Sequence, residues 1–188
     1  MPTEYWNPIP IYFADVSAEH FELINKQVAE TVTDDMYGDK EWNDFVKTTI
    51  KHSSDILKKL GLSTLEQLVV AHTTEFLKSL DIDKRFYITE SWFNRLPKYG
   101  HQGMHTHTPN TDICSNLYYS GVYYHDKPEA KMPGLAFSLK NGIKSTYVEY
   151  KYVPGRILIF NSLLDHRVPF NPNDEERTSF AFNVKLVE

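Results

Sequence analysis

The sequence predicts an α+β fold that is mainly β, an antiparallel barrel or jelly roll with N-terminal amphipathic helices packed on one side. Three observations predict it. Apolar residues in the first third fall at helical spacing; from Asp83 onward short runs rich in aromatic and β-branched residues alternate with turn signals; and no helical crossover separates those runs, which disfavours a parallel α/β sheet. With 188 residues, 41% of them apolar and 24% charged, the chain suits one domain with its own core, helical over 1–82 and β-rich over 83–188. Gly 8 and Pro 10 leave neither a linker to divide it nor a low-complexity segment.

In chain order, Ser17 stands as an N-cap before Phe21, Ile24, Val28 and Val32, with Glu19, Glu22, Lys26 and Glu30 off that stripe. A second helix is expected from Trp42 through Phe45, Val46, Ile50, Ile56 and Leu57 to Leu60, stopped by Gly61. The third begins at Ser63-Thr64-Leu65-Glu66, which has capping-box spacing, and runs through Val69 and Phe76 to Leu80. Strands are expected over 85–93, 117–124, 135–139, 146–152, 156–160 and 177–187. Turn signals at Lys98-Tyr99-Gly100, Pro133-Gly134, Asn141-Gly142, Pro154-Gly155 and Asn171-Pro172-Asn173-Asp174 separate them. The aromatic residues of these strands, 14% of the chain overall, read as core.

Charge narrows the function classes. Lys+Arg 20 against Asp+Glu 25 gives a net charge of −5, which disfavours a reader of phosphate backbones. The single cysteine, Cys114, excludes an internal disulfide and any multi-thiolate metal site, and points to a reducing compartment. No basic patch and apolar run follow Met1, and no stretch approaches the roughly 18 apolar residues that span a bilayer. The expectation is a soluble intracellular protein without nucleic-acid or membrane partners, in which any metal is held by His, Asp or Glu.

Histidines supply such ligands. Three fall in the segment His101-Gln102-Gly103-Met104-His105-Thr106-His107. In an extended strand residues i and i+2 face the same side, so His105 and His107 would present neighbouring imidazoles, and His166, 61 residues beyond His105, offers a third. Taken singly, each has a plainer reading: a solvated strand face for His105 and His107, a turn residue beside Asp165 for His166. His20 and His52 read as solvated helix residues, His72 as a satisfied core histidine, and His125 as facing away from the group. Eleven residues after His166, Arg177-Thr178-Ser179 puts Arg177 and Ser179 on one strand face, where a guanidinium fork and a hydroxyl can clamp a carboxylate. The plainer alternative pairs Arg177 with Glu175 or Glu176 at the surface.

In this order the motifs resemble the iron(II)- and 2-oxoglutarate-dependent oxygenases, in particular the prolyl-hydroxylase-like branch and a short bacterial and bacteriophage group within it. The residues that carry the resemblance are Trp92-Phe93-Asn94, Gly100, His105-Thr106-His107, Ser120-Gly121-Val122-Tyr123-Tyr124, Gly134-Leu135-Ala136-Phe137, Pro154-Gly155-Arg156-Ile157-Leu158-Ile159-Phe160, His166 and Arg177-Thr178-Ser179-Phe180-Ala181-Phe182-Asn183. The resemblance implies a double-stranded β-helix, the jelly roll also found in cupins, with Fe(II) at its wider mouth, 2-oxoglutarate as cosubstrate and O2 as oxidant. It matches His105 and His166 to the first and last metal ligands, Arg177 and Ser179 to the clamp for the distal carboxylate, and Tyr124 to a tyrosine that helps hold it. It implies a dioxygenase, most readily a hydroxylase of a peptidyl residue such as proline or of a small molecule, releasing succinate and CO2 in the bacterial or phage-infected cytoplasm. No separate catalytic base is expected, and Asn94, Arg95 and Tyr99 lie where a substrate could touch.

One position departs from the commonest pattern of the family, which has Asp or Glu where this chain has His107. Three arrangements fit: a His105, His107, His166 triad; His107 flanking a metal completed by water or an anion; or a carboxylate such as Asp112 reaching in. Two other classes also fit parts of the pattern, a cupin-type metal enzyme without 2-oxoglutarate and a jelly-roll binding module in which the histidines are incidental.

Overall fold

A computed structural model describes residues 9–39, 46–107, 117–141 and 144–187. The element order is β1 (Ile11–Asp15), α1 (Ala18–Thr31), β2 (Gly38–Asp39), β3 (Lys47–Thr48), α2 (Ile56–Leu60), α3 (Ser63–Ser79), β4 (Phe86–Leu96), β5 (Gln102–His105), β6 (Tyr118–Tyr123), β7 (Leu135–Asn141), β8 (Lys144–Tyr150), β9 (Arg156–Asn161), β10 (His166–Val168) and β11 (Arg177–Leu186). Seven strands form one antiparallel sheet in the order β1-β9-β6-β11-β4-β3-β2, and four form a second, β5-β10-β7-β8. The expected mainly β jelly roll, with helices on one side, is the fold observed.

The larger sheet separates two apolar layers, and the two-residue repeat of its strands decides which side chain enters which. On β11, Phe180, Phe182, Val184 and Leu186 join Phe93, Tyr119, Ile157 and Ile159 beneath the apolar faces of α1, α2 and α3. The alternate residues Arg177, Ser179 and Ala181 face the smaller sheet. There Val122, Tyr124, Leu158 and Phe160 pack against Leu135, Phe137 and Val168. The helices thus back the sheet, and the polar chemistry lies between the sheets.

Helix α1 starts as expected, the Ser17 hydroxyl accepting from the His20 N–H. The second helix is much shorter than its spacing predicts. Trp42 and Phe45 lie outside the described residues, Lys47–Thr48 is strand β3, and only Ile56–Leu60 is helical, ending at Gly61 with φ 62°. The apolar residues that suggested one stripe serve two layers, Val46 between the sheets and Ile56 and Leu57 under the helices. Asp55 caps α2, its side chain accepting from the Lys58 N–H. The capping box at Ser63 does not form either: Leu62 occupies the cap position, and the Glu66 N–H bonds the Leu62 carbonyl, so Ser63 is already inside α3. The first 82 residues also contribute β1, β2 and β3, which helical periodicity does not reveal. Strands β5 and β10 are short additions that carry His105 and His166.

His20 and His52 are exposed, and His72 is a half-buried, satisfied residue whose Nδ1 lies 2.8 Å from the Tyr12 hydroxyl. Among the described residues no helix is long and apolar enough to cross a membrane.

Gly134 marks a close crossing at the entry to β7. A Cβ there would lie 1.7 Å from the Tyr150 carbonyl oxygen on β8, backbone that has no room to yield. Gly134→Ala is expected to cost about 1–3 kcal/mol as an overpacking change, read as a lower urea midpoint at unchanged m-value. His125 supplies a pH dependence. Burial against Phe93, with ring centroids 5.1 Å apart, pushes its pKa down to about 4, with Arg95 reinforcing and Asp126 opposing. The unfolded chain therefore takes up a proton below its ordinary pKa that the folded chain refuses until about pH 4, so stability falls as the pH drops through that window. The fall reaches about 2 kcal/mol by pH 5. Urea unfolding at pH 7 and pH 5 checks it, since His125→Leu should lose this component and narrow the difference.

Candidate functional site

The first feature of the site is a cluster of imidazoles. His105 and His166 are directly paired across β5 and β10, so the register of the small sheet brings them side by side. His107 lies two residues beyond, where the strand has ended, and its N–H donates to the Ser162 carbonyl at 3.0 Å. One ligand atom from each histidine falls within 4.8 Å of the others. His105, His107 and His166 are therefore brought together as expected, although His107 gets there by a loop and not by strand alternation.

Hydrogen bonds select the tautomers. His105 Nδ1 lies 2.8 Å from the Gly103 carbonyl oxygen, His166 Nδ1 2.8 Å from that of Leu164, and His107 Nδ1 2.9 Å from the side-chain oxygen of Asn183. A carbonyl oxygen can only accept, so each Nδ1 carries the proton and each Nε2 keeps its lone pair. The Nε2 atoms of His105 and His107 stand 3.1 Å apart. Two lone pairs at that distance repel unless a cation or proton lies between them. Two nitrogens bound at right angles to one metal, each at about 2.1 Å, would be about 3.0 Å apart, so the donors fit a divalent ion. Among the described residues this metal-ligating cluster consists of histidines alone; Asp112 lies outside them.

The second feature is Arg177, 1% exposed. Its Nε donates to the Pro133 carbonyl at 2.8 Å and its Nη1 to Ser179 Oγ at 3.1 Å. Among the described residues neither the buried Nη2 nor the buried Tyr124 hydroxyl has a hydrogen-bond partner of ordinary length, although the two groups are near neighbours, the guanidinium carbon lying 5.3 Å from the Tyr124 ring centroid. Tyr152 stacks on Tyr124 at 4.2 Å and closes the far side. Burial raises the Tyr124 pKa, with Arg177 opposing, so the phenol remains a neutral donor. The plainer alternative of a surface pairing does not occur: Glu175 accepts from the Glu129 and Ala130 N–H groups, and among the described residues no carboxylate pairs with Arg177. A buried cation with an unused donor beside an unused hydroxyl suits an anionic ligand.

These features share one cleft, lined by Trp92, Asn94, Gln102, His105, His107, Val122, Leu135, Phe160, His166, Arg177 and Ser179. Its space of about 30 Å³ is room for little more than a water molecule, so a larger ligand requires its wall to shift. A much larger hollow of about 760 Å³ between α2, α3 and the start of β4 lies away from the histidines. Of the residues expected near a substrate, Asn94 lines the cleft, with its Oδ1 buried and unpartnered. Arg95 instead pairs with Asp34 and covers the Tyr37 ring, and Tyr99 stacks on Phe170 outside. Trp92 packs beside His107, with centroids 5.6 Å apart.

Behind His107 stand polar residues to which the sequence assigns no role, Ser120 and Asn183 being named above only as motif residues. Asn183 Oδ1 also accepts from Ser120 Oγ at 2.8 Å, its Nδ2 donates to Glu90 at 2.7 Å, and Ser120 meets Ser162 at 2.7 Å. The available signal was parity: Asn183 stands six residues after Arg177 on the strand and so shares its face.

Comparisons with known proteins bear on the fold and the family. A family profile described as "Putative 2OG-Fe(II) oxygenase" matches residues 90–183. A search of curated proteins finds no match. Among solved structures, HygX from Streptomyces hygroscopicus with nickel and 2-oxoglutarate bound is 10% identical with a TM-score of 0.66, covering 94% of this chain and 83% of that one. A Pseudomonas putida prolyl-4-hydroxylase is 13% identical with a TM-score of 0.62, covering 95% and 92%. SnoK, a non-heme α-ketoglutarate-dependent carbocyclase from nogalamycin biosynthesis, is 8% identical with a TM-score of 0.70, covering 94% and 79%. With half of its length matched by the family profile, an imidazole cluster and a buried guanidinium in one cleft of a jelly roll, the chain belongs to the 2OG-Fe(II) oxygenase family.

Proposed function

We propose that His105, His107 and His166 ligate iron(II) through Nε2, and that Arg177, Ser179 and Tyr124 hold the distal carboxylate of 2-oxoglutarate, in an enzyme that hydroxylates a peptidyl residue such as proline, or a small molecule. The observation that carries this reading is the meeting of three lone pairs beside a buried guanidinium with a donor to spare. The metal with its cosubstrate supplies oxygen activation and the oxidative decarboxylation that yields succinate and CO2. The chain's own residues place and tune. Gly103 and Leu164 carbonyls hold two rings in their ligating tautomer, and Asn183 holds the third. The Pro133 carbonyl and Ser179 set the guanidinium plane, leaving Nη2 for a carboxylate oxygen and the Tyr124 hydroxyl for a second bond. Phe137 and Phe160 flank His166 and exclude water from that side. Because imidazole is neutral, a ligand set of three histidines carries one positive charge more than one containing a carboxylate, which favours binding of the dianionic cosubstrate.

A cupin-type enzyme without 2-oxoglutarate gives no role to a buried Arg177 that has no carboxylate partner among the described residues, and a binding module gives none to three convergent lone pairs. The direct test is succinate formation from 2-oxoglutarate by the full chain with iron(II) and oxygen. Uncoupled turnover dependent on all three is expected; a metal-loaded protein that neither binds nor consumes 2-oxoglutarate would overturn the reading. Arg177→Ala should weaken 2-oxoglutarate about 10–100-fold, the worth of hydrogen bonds to a charged group, with metal affinity unchanged. Arg177→Lys should restore only part, because an ammonium cannot reproduce the planar fork. Calorimetric titration of cosubstrate into the Co(II)-loaded variants measures both effects.

A further inference from the structure

We propose that Asn183 is a positioning residue that keeps His107 in its Nε2-ligating tautomer, and that Glu90 keeps the Asn183 amide in the one orientation that does so. The inference rests on reading His107 as a metal ligand.

The three histidines differ in what holds them. His105 and His166 face main-chain carbonyls, which cannot exchange acceptor for donor. His107 faces a side-chain amide, and a half-turn of that amide swaps its oxygen for its NH2 group. In the swapped orientation the amide would donate to Nδ1, the imidazole would carry its proton on Nε2, and an N–H would point at the metal position. The cluster would lose one donor without any change in its heavy-atom positions.

Three strands converge to prevent the swap. Asn183 on β11 is paired with Glu90 on β4 and with Ser120 on β6. Ser120 Oγ bonds Asn183 Oδ1 at 2.8 Å, but a hydroxyl can donate or accept and so tolerates either end of the amide. Glu90 is different. An ionised carboxylate only accepts, and its Oε2 stands 2.7 Å from Asn183 Nδ2, so the nitrogen must face β4 and the oxygen must face His107. With Asn183 5% exposed, water has little access to compensate for a reversed amide. The line Glu90, Asn183, His107 therefore places a carboxylate behind the imidazole, where it orients the ligand and strengthens it as a donor without entering the coordination sphere.

The test uses the full chain and Co(II) alone as the probe. Glu90→Leu and Asn183→Leu are each expected to weaken Co(II) about 10–100-fold, the usual effect of removing an outer partner of a ligating histidine, whereas Glu90→Gln, which can still present an oxygen to Asn183, should stay much closer to the parent. In metal-free protein, long-range ¹⁵N–¹H spectra should show the His107 proton on Nδ1 in the parent and transferred in part to Nε2 in Glu90→Leu. Glu90 is partly exposed, so that variant carries the test if Asn183→Leu does not fold. A Glu90→Leu protein with unchanged tautomer and unchanged Co(II) affinity, while His107→Ala weakens Co(II), overturns the relay and leaves the ligand set standing. Loss of stability with an unchanged tautomer also overturns it. Full Co(II) affinity in His107→Ala overturns the ligand reading itself, and the relay with it.

Discussion

Strand β11 lies between β4 and β6, so its backbone is engaged on both edges and its side chains are forced to alternate between two environments. That alternation is the constraint on which the site depends. One set of its side chains completes the apolar layer under the helices; the other places a guanidinium, a hydroxyl and an amide along one wall of the cleft. A slip of one residue would bury Phe180 and Phe182 in the cleft and expel Arg177, so the packing that stabilises the fold also fixes the spacing of Arg177 and Ser179 relative to the imidazoles.

The same wall carries a cost. Arg177 is desolvated yet keeps one donor unused, and Tyr124 and Asn94 contribute further buried polar atoms without partners. Cores normally satisfy such groups, and where they do not, the deficit tends to mark a place prepared for something else. The three histidines show the corresponding pattern in another form, since their outward nitrogens are saturated by acceptors while their inward nitrogens crowd one another. Part of the unmet demand thus gathers around the cleft, while other buried polar atoms without partners among the described residues, such as the Tyr123 hydroxyl and His125 Nε2, lie elsewhere.

Much of this was legible before any coordinates, for definite reasons. Strands 117–124, 156–160 and 177–187 are dense in apolar and β-branched residues because they run through the middle of the larger sheet, and Ser17 caps α1 by a purely local bond. His105, His107, His166, Arg177 and Ser179 could be picked out because residue type and spacing alone suggest their chemistry. The failures were equally physical. Val46, Ile56 and Leu57 mimic a helical stripe although they serve layers on opposite sides of a sheet, so periodicity without tertiary information joins what the fold separates. Strand β1 has no signal of its own, because its Ile11 and Phe13 side and its Tyr12 and Ala14 side both become meaningful only on pairing with β9. Asn183 stayed hidden because its meaning depends on Glu90 and His107, each more than seventy residues away in the chain.

The pairing of His105 with His166 has a mechanical corollary. Strands β5 and β10 are four and three residues long and join a small sheet whose hold on them is slight. An ion shared by the two rings would tie together parts of the chain far apart in order, closing in the native state a loop that is costly to close by chance. Occupancy would then act as a rivet for the smaller sheet, shifting the balance between intact and locally frayed molecules.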